Sequence, residues 1–261
     1  MLDAISKEIR RNCLRVAHGS GHGHLPTCFS VIEMIRAVYA VMRHDPAQPA
    51  DPERDIFILS KGHAALAHYS VLAQLGYFPV DEVASFGAFQ SRFGCHADRH
   101  KVPGVEWSTG SLGHGPGAAV GFALAIKLKH QARRVFVLIG DGESNEGSVW
   151  EAIQMAAHLK LDNLTFLLDW NRSQLRCLPI SEPAAKFAAF GCRTLEVDGH
   201  DLAALTAAMS ETVPDGRPVA LVCRTGKGHG CATLLREMFA WHRRSPDAGE
   251  LTMLLEELDH A

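Results

Sequence analysis

No two of the seven cysteines, Cys13, Cys28, Cys95, Cys177, Cys192, Cys223 and Cys231, stand at the C-x-x-C spacing of zinc or thioredoxin-like sites. Their odd number and scatter read as reduced, mostly buried thiols. No stretch reaches the ~18 uncharged apolar residues of a membrane span. The start, MLDAISKEIRRNCLRVA, is charged throughout and lacks the apolar centre of a signal peptide, so a cytoplasmic location is expected. Charge of one sign is lacking too: a formal net charge of -3 does not suggest a general nucleic-acid-binding surface. There is no internal repeat and no low-complexity linker. Residues 1–261 therefore read as a single domain, with a C-terminal extension from about residue 224.

What is present suits a chain with a large core. The 261 residues are 47% hydrophobic and only 21% charged. Histidine is abundant, at fifteen, and His18, His22, His24, His63, His114, His200 and His229 lie beside glycine. Imidazoles on flexible backbone suit a site that handles protons or phosphates.

Hydrophobic patterning gives the architecture. Residues 2–17 and Phe29–Met42 read as helices around a glycine-rich turn, His18–His24. Ile56–Leu59 is a short buried strand, followed by Ser60-Lys61-Gly62-His63 and a helix over Ala64–Leu75 that ends at Gly76. Residues 85–117 show no period and read as a long functional loop. Then come a helix over Gly117–Lys129, a strand at Val135–Ile139, a helix over Glu146–Leu159 and a strand at Leu164–Leu168. A short strand at Leu195–Val197, a helix over Leu202–Met209 and a strand at Val219–Cys223 follow. Continuous apolar strands alternating with helices mean an α/β fold, a parallel sheet sandwiched by helices.

Ligands in such sheets bind beyond the carboxyl ends of the strands. In GDGESNEGSVWEA, Asp141 and Gly142 stand just past one strand; Asn171 stands just past the next, one strand-helix-strand unit on. The carboxylate and the amide can thus arrive side by side. With a backbone carbonyl near Ser173 they offer three hard oxygens to Mg2+, leaving positions for a diphosphate and water. Gly142 lets main chain approach a phosphate without a Cβ, and the following helix presents its N-terminal amides. An Asp-Gly after a strand is most often only a turn. The matched Asn171, and Glu146 and Glu151 on the intervening helix, favour a site.

These segments resemble the N-terminal, diphosphate-binding half of transketolase, a thiamine diphosphate enzyme. Beside GDGESNEGSVWEA and LDNLTFLLDWNRSQ, similar blocks are RDIFILSKGHAALAHYSVLAQLGYF, GCHADRHKVPGVEWSTGSLGHGPGAAVGFALA, GHLPTCFSVIEMIRAVY and WHRRSPDAGELTMLLEEL, in family order over nearly the whole chain. The resemblance implies the thiamine diphosphate-binding fold, with Asp141, Asn171 and the Ser173 carbonyl on the metal and Gly142 on the diphosphate. Gly110 and Leu112 would line the coenzyme rings, although plain core packing also accounts for Leu112. His24, His63, His96 and His242 match histidines that surround the sugar, His63 also touching the coenzyme; His22, two residues before His24, leaves open which of the two serves. Glu146 matches a subunit-interface glutamate, or is simply an acid at a helix N-terminus. His18, His22, His44, His68, His130, His158, His200 and His229 take no role, and Lys227 in TGKGHG reads as a solvated lysine rather than a phosphate contact.

Full-length transketolases run well over twice this length, and their second domain supplies the glutamate that activates the aminopyrimidine ring. The resemblance therefore implies one subunit of a split, two-chain transketolase, partnered by a pyrimidine-binding subunit in an α2β2 assembly. Its implied activity is transfer of a two-carbon ketol unit from a ketose to an aldose, with thiamine diphosphate and Mg2+. Departures lie at His114, Pro26-Thr27-Cys28, Cys95-His96-Ala97 and Arg243, and they point to a ketose other than the ordinary pentose and heptulose phosphates. The alternatives are the α subunit of a thiamine-dependent 2-oxoacid dehydrogenase, against which the SKGHA, TGSLG and WEA blocks speak, and a non-catalytic scaffold subunit. A dinucleotide-binding module would need a buried strand directly before Gly113, and GVEWST is a poor one.

Overall fold

Four of the five strands are apolar on both sides, and the sheet shows why. In the computed structural model, which describes residues 2–211 and 213–261, five parallel strands run β1 (Ile56–Leu59), β2 (Val135–Gly140), β3 (Leu164–Trp170), β4 (Arg193–Asp198) and β5 (Val219–Arg224). Their spatial order is β1-β2-β3-β5-β4. Alternate residues enter opposite halves of the core: Phe57, Leu59, Phe136, Leu138, Leu167 and Leu221 one half, Ile56, Ile58, Val135, Val137, Phe166 and Val222 the other. A parallel sheet covered on both faces demands this pattern.

Nine α-helices lie among the described residues. Helices α1 (Ala4–Ser20), α2 (Leu25–Val41) and α3 (Ala65–Gln74) contribute to the first half of the core. Helices α4 (His114–Leu128) and α5 (Gly147–His158) contribute to the second, with Phe187 of α6 (Pro183–Ala189). Helix α7 (Leu202–Ser210) and the short α8 (Ala232–Arg236) follow. The chain closes with α9 (Ala248–Asp259), which packs on α1 and places Leu254 and Leu258 in the first half of the core. Arg11 of α1 pairs with Asp259 of α9 at 2.5 Å.

Several boundaries differ from the sequence reading, for local reasons. Helix α1 runs through Gly19 to Ser20 and stops where Gly21 adopts φ 67°, a left-handed cap that glycine takes without a Cβ penalty. Helix α2 begins at Leu25 rather than Phe29, because Pro26 sits in the first turn, where its missing N–H costs nothing. Helix α4 likewise starts at His114, with Pro116 in its first turn, so the irregular loop ends earlier than expected. Helix α6 is absent from the sequence reading: a proline start and small residues leave it little amphipathic signal. No helix among the described residues is long and apolar enough to cross a membrane.

Register decides the rest. Leu59 pairs with Leu138, Gly140 with Asp169, and Trp170 with Arg224. The turns after β1, β2, β3 and β5 therefore open at the carboxyl end of the sheet, bringing Ser60-Lys61, Asp141-Gly142, Asn171 and Thr225-Gly226-Lys227 together.

Candidate active site

At the tips of β2 and β3 the three residues chosen from sequence meet. Asp141 continues the ladder, its N–H donating to the Asp169 carbonyl at 3.2 Å. Its Oδ1 accepts from the Gly142 N–H at 2.8 Å and from Ser173 Oγ at 2.7 Å. Asn171 Oδ1 accepts from the Ser173 N–H at 3.0 Å. Arg172, at φ 61°, turns the chain between them. Burial pushes the Asp141 carboxyl above the usual carboxylate range against the Ser173 hydrogen bond, and the nearby Asp169 adds to the push. A buried acid crowded by another acid is a place where a divalent cation lowers the energy. The donor set of carboxylate, amide oxygen and main chain fits a hard cation such as Mg2+. A Cβ on Gly142 would lie 2.5 Å from Gln174 Nε2, so this backbone is closely covered.

Beneath the tips lies a polar layer that the sequence reading left without roles. Asp169 is fully buried and accepts from Lys61 Nζ, from Ser30 Oγ and Asn171 Nδ2, each at 2.7 Å, and from Thr225 Oγ1. Lys61 also donates to Thr27 Oγ1 at 2.7 Å. Glu143, also buried, accepts from Ser60 Oγ, from the Gly113 N–H at 3.0 Å and from the Gly140 N–H at 3.2 Å. One carboxylate thus ties the β1 turn, the start of α4 and the end of β2. The available signal was an acid ending an apolar strand, in LLDW, and a lysine directly after another, in ILSK.

The histidines form a second group beside this one. His24 precedes α2, His63 lies in a 3-10 turn over Gly62–Ala64, and His242 follows the buried Trp241. The His24 ring centroid stands 5.3 Å from that of His63 and 5.4 Å from that of His242, both edge to face. His24, not His22, joins the group; the exposed His22 packs instead against Gly87. Burial, then the charge of His242 and its neighbours, lowers His24 to about 4. Burial, then Lys61, holds His63 far below the ordinary histidine value, and burial, then Lys227, lowers His242. These three imidazoles are therefore neutral at neutral pH, each able to donate from one nitrogen and accept at the other.

His96 is exposed on the irregular loop, and its ring lies 3.1 Å from where a Cβ on Gly110 would stand. Gly110 itself is at φ 144°. Gly62 is pressed against Thr109 and Gly110: its Cβ would come 2.7 Å from Thr109 Oγ1. The SKGH turn, the His96 loop and the TGSLG loop thus interlock through glycines. Leu112 is half-buried and belongs to neither half of the core, so core packing does not account for it. Glu146 is exposed at the N-terminus of α5, with no side-chain capping bond.

Lys227 differs from expectation. It is 3% exposed rather than solvated, with Nζ 3.1 Å from His242 Nδ1. Burial, then Lys61, pushes it down to about 8. A lysine with glycine on both sides reads as solvated in sequence, but the end of β5 delivers it into the site.

Comparison with known proteins shows the family. Residues 3–244 match the family model for the transketolase thiamine diphosphate-binding domain. The chain is 38% identical to one of the subunits of apulose-4-phosphate transketolase from Actinobacillus succinogenes, over 98% of this chain and 95% of its relative. It is 35% identical to the 6-deoxy-6-sulfo-D-fructose transketolase subunit SqwG of a Clostridium species, over 86% and 84% respectively. A Pichia stipitis transketolase solved with sedoheptulose-7-phosphate superposes with a TM-score of 0.87 at 27% identity, over 98% of this chain but 40% of its own. The chain thus spans well under half of the full-length transketolases and most of the length of the separate subunits. It belongs to the transketolase thiamine diphosphate-binding family, as an N-terminal transketolase subunit.

Proposed function

We propose that this chain holds thiamine diphosphate and Mg2+ at the strand tips and completes its active site against a second, pyrimidine-binding chain, in an α2β2 assembly, to transfer a two-carbon ketol unit. The observation that carries the reading is that Asp141 and Asn171 stand at the carboxyl ends of neighbouring strands, that Lys227 shares a cavity with Asn171, and that Lys227 lies 3.1 Å from His242, which groups with His24 and His63. In this reading Asp141, the Asn171 amide oxygen and the Ser173 carbonyl hold the metal. Gly142 and the cation of Lys227 face the diphosphate, and Gly110, Leu112 and His63 face the rings. When bound, the coenzyme supplies the carbon nucleophile and electron sink for C–C cleavage.

The chain's own part is to orient the sugar and handle protons. A ketose loses a hydroxyl proton as its C–C bond breaks, and the aldose acceptor regains one. Neutral His24, His63 and His242, with His96 on the facing loop, can take and return that proton while donating to other hydroxyls. Glu146 faces outward, as a residue meeting a second subunit would. Both similar subunits are named for sugars with an anionic group, a phosphate and a sulfonate. A ketose that carries a phosphate or a sulfonate, other than the ordinary pentose and heptulose phosphates, is accordingly the proposed donor class.

The test is to purify the chain with its pyrimidine-binding partner and titrate thiamine diphosphate with and without Mg2+. Ketol transfer is then screened from branched, sulfonated and ordinary ketose phosphates. Mg2+-dependent coenzyme binding with ketol transfer supports the reading; turnover of a 2-oxo acid with lipoamide instead overturns it.

A further inference from the structure

Lys227 reaches the site from a loop with glycine on both sides, so something outside that loop must fix it. His200, in the turn after β4, stands against the loop's backbone. The Gly226 N–H donates to His200 Nε2 at 2.9 Å. On its other side His200 Nδ1 lies 3.0 Å from Glu33 Oε2. Glu33 is buried and held by Arg10 in a bidentate pair, Nη1 to Oε1 at 2.6 Å and Nη2 to Oε2 at 2.9 Å. The His229 ring stacks on His200 at 3.6 Å between centroids, and Arg10 Nε donates to the His229 carbonyl at 2.8 Å. The loop is therefore gripped at Gly226 and at His229, on either side of Lys227.

The protonation pattern follows from the partners. Burial alone would raise the Glu33 carboxyl, but hydrogen bonds from His200 and Arg10 hold it well below the usual range. Ionised Glu33 only accepts, so His200 Nδ1 carries the proton. Gly226 N–H only donates, so Nε2 is the free acceptor. One neutral tautomer satisfies both neighbours, and neither the protonated ring nor the other tautomer does.

We propose that His200 is a positioning residue for the coenzyme site: its Nε2, oriented by Glu33 and Arg10, fixes Gly226 and thereby delivers Lys227 to His242 and the bound anion. The contact stands on the distances alone; its consequence for coenzyme binding rests on the function proposed above.

Two substitutions separate the two sides of the ring. His200→Gln places an acceptor near the Nε2 position and keeps the Gly226 bond; His200→Asn places its amide near Nδ1, keeps the Glu33 contact and loses Gly226. In the full chain without coenzyme, the Gly226 amide exchanges with solvent at least about tenfold faster in His200→Asn than in the unaltered chain or His200→Gln. In the two-chain complex, His200→Asn weakens thiamine diphosphate binding about tenfold, the equivalent of one hydrogen bond, and His200→Gln binds within about threefold of the unaltered chain. Exchange and affinity that change equally in both variants, or in neither, overturn the assignment. Should His200→Asn not fold, a through-bond N–H···N coupling between Gly226 and His200 in the 15N-labelled unaltered chain tests the contact directly. Its presence with an Nδ1–H tautomer supports the proposal, and its absence overturns it. An unaltered complex that binds no thiamine diphosphate refutes the function proposed above, while the exchange and coupling results still judge the His200 contact.

Discussion

The Asn171 amide nitrogen donates to the Asp169 carboxylate at 2.7 Å, which turns the amide oxygen toward the Ser173 N–H and the Asp141 side. Asp169 also carries the charge partner of the buried Lys61. The two residues therefore have separable duties. Asn171→Ala is expected to weaken metal-dependent coenzyme binding at least about tenfold, at a stability cost of about 1 to 3 kcal/mol because it leaves the Ser173 N–H and part of the Asp169 carboxylate without partners. Asp169→Asn leaves a buried lysine unpaired and is expected to cost about 3 to 5 kcal/mol in chemical denaturation, most of it recovered in Asp169→Asn/Lys61→Met. A destabilisation unchanged by the second substitution would show that the pair is not what the charge serves.

Glu143 is the junction of three elements, and its loss should be structural. Glu143→Ala strands the Gly113 and Gly140 N–H groups and the Ser60 hydroxyl away from water. A loss of about 2 to 4 kcal/mol is expected in urea denaturation, with Glu143→Gln less affected because it keeps one acceptor. Equal stability of the alanine variant and the unaltered chain would refute this.

Acid should destabilise the chain through its histidines. His24 falls from 6.5 to about 4 on folding, and His63 and His242 shift in the same direction. At these histidines the unfolded chain then binds more protons, so their contribution to stability is full above about pH 6.5 and is lost progressively as the pH falls toward 4, while Glu106, pushed up to about 7 by burial, works against the loss. The melting temperature is expected to drop between pH 7 and pH 5, and to drop less in His24→Gln. A melting temperature that rises on acidification would run against this linkage.

Gly110 joins an uncommon backbone conformation to a close approach by His96. Gly110→Ala is expected to cost about 1 to 3 kcal/mol and to push the His96 loop outward, raising KM for the sugar more than it lowers kcat. Unchanged KM and melting temperature would mean that the loop accommodates the methyl group.

These predictions draw unevenly on what the sequence could reveal. Strands β1, β2, β3 and β5 were legible because both their faces are apolar, and the GDG and Asn171 pair because adjacent parallel strands bring their tips together. The edge strand β4 was found short, since half-exposed Arg193 and exposed Asp198 blur its limits. His24 could not be told from His22 until the start of α2 fixed which ring turns inward. Lys61, Asp169, Glu143 and Lys227 were unreadable as a set because burial of charge depends on partners far apart in sequence. His200 looked like one more satisfied histidine, and its contact with Gly226 exists only because β4 and β5 are neighbours.

The most direct test measures thiamine diphosphate binding and ketol transfer by this chain alone, by its complex with the pyrimidine-binding partner, and by the same complex carrying Asp141→Asn. Tight Mg2+-dependent binding and turnover by the unaltered complex only are the predicted result. Full activity of the chain without a partner, or of the Asp141→Asn complex, would contradict it.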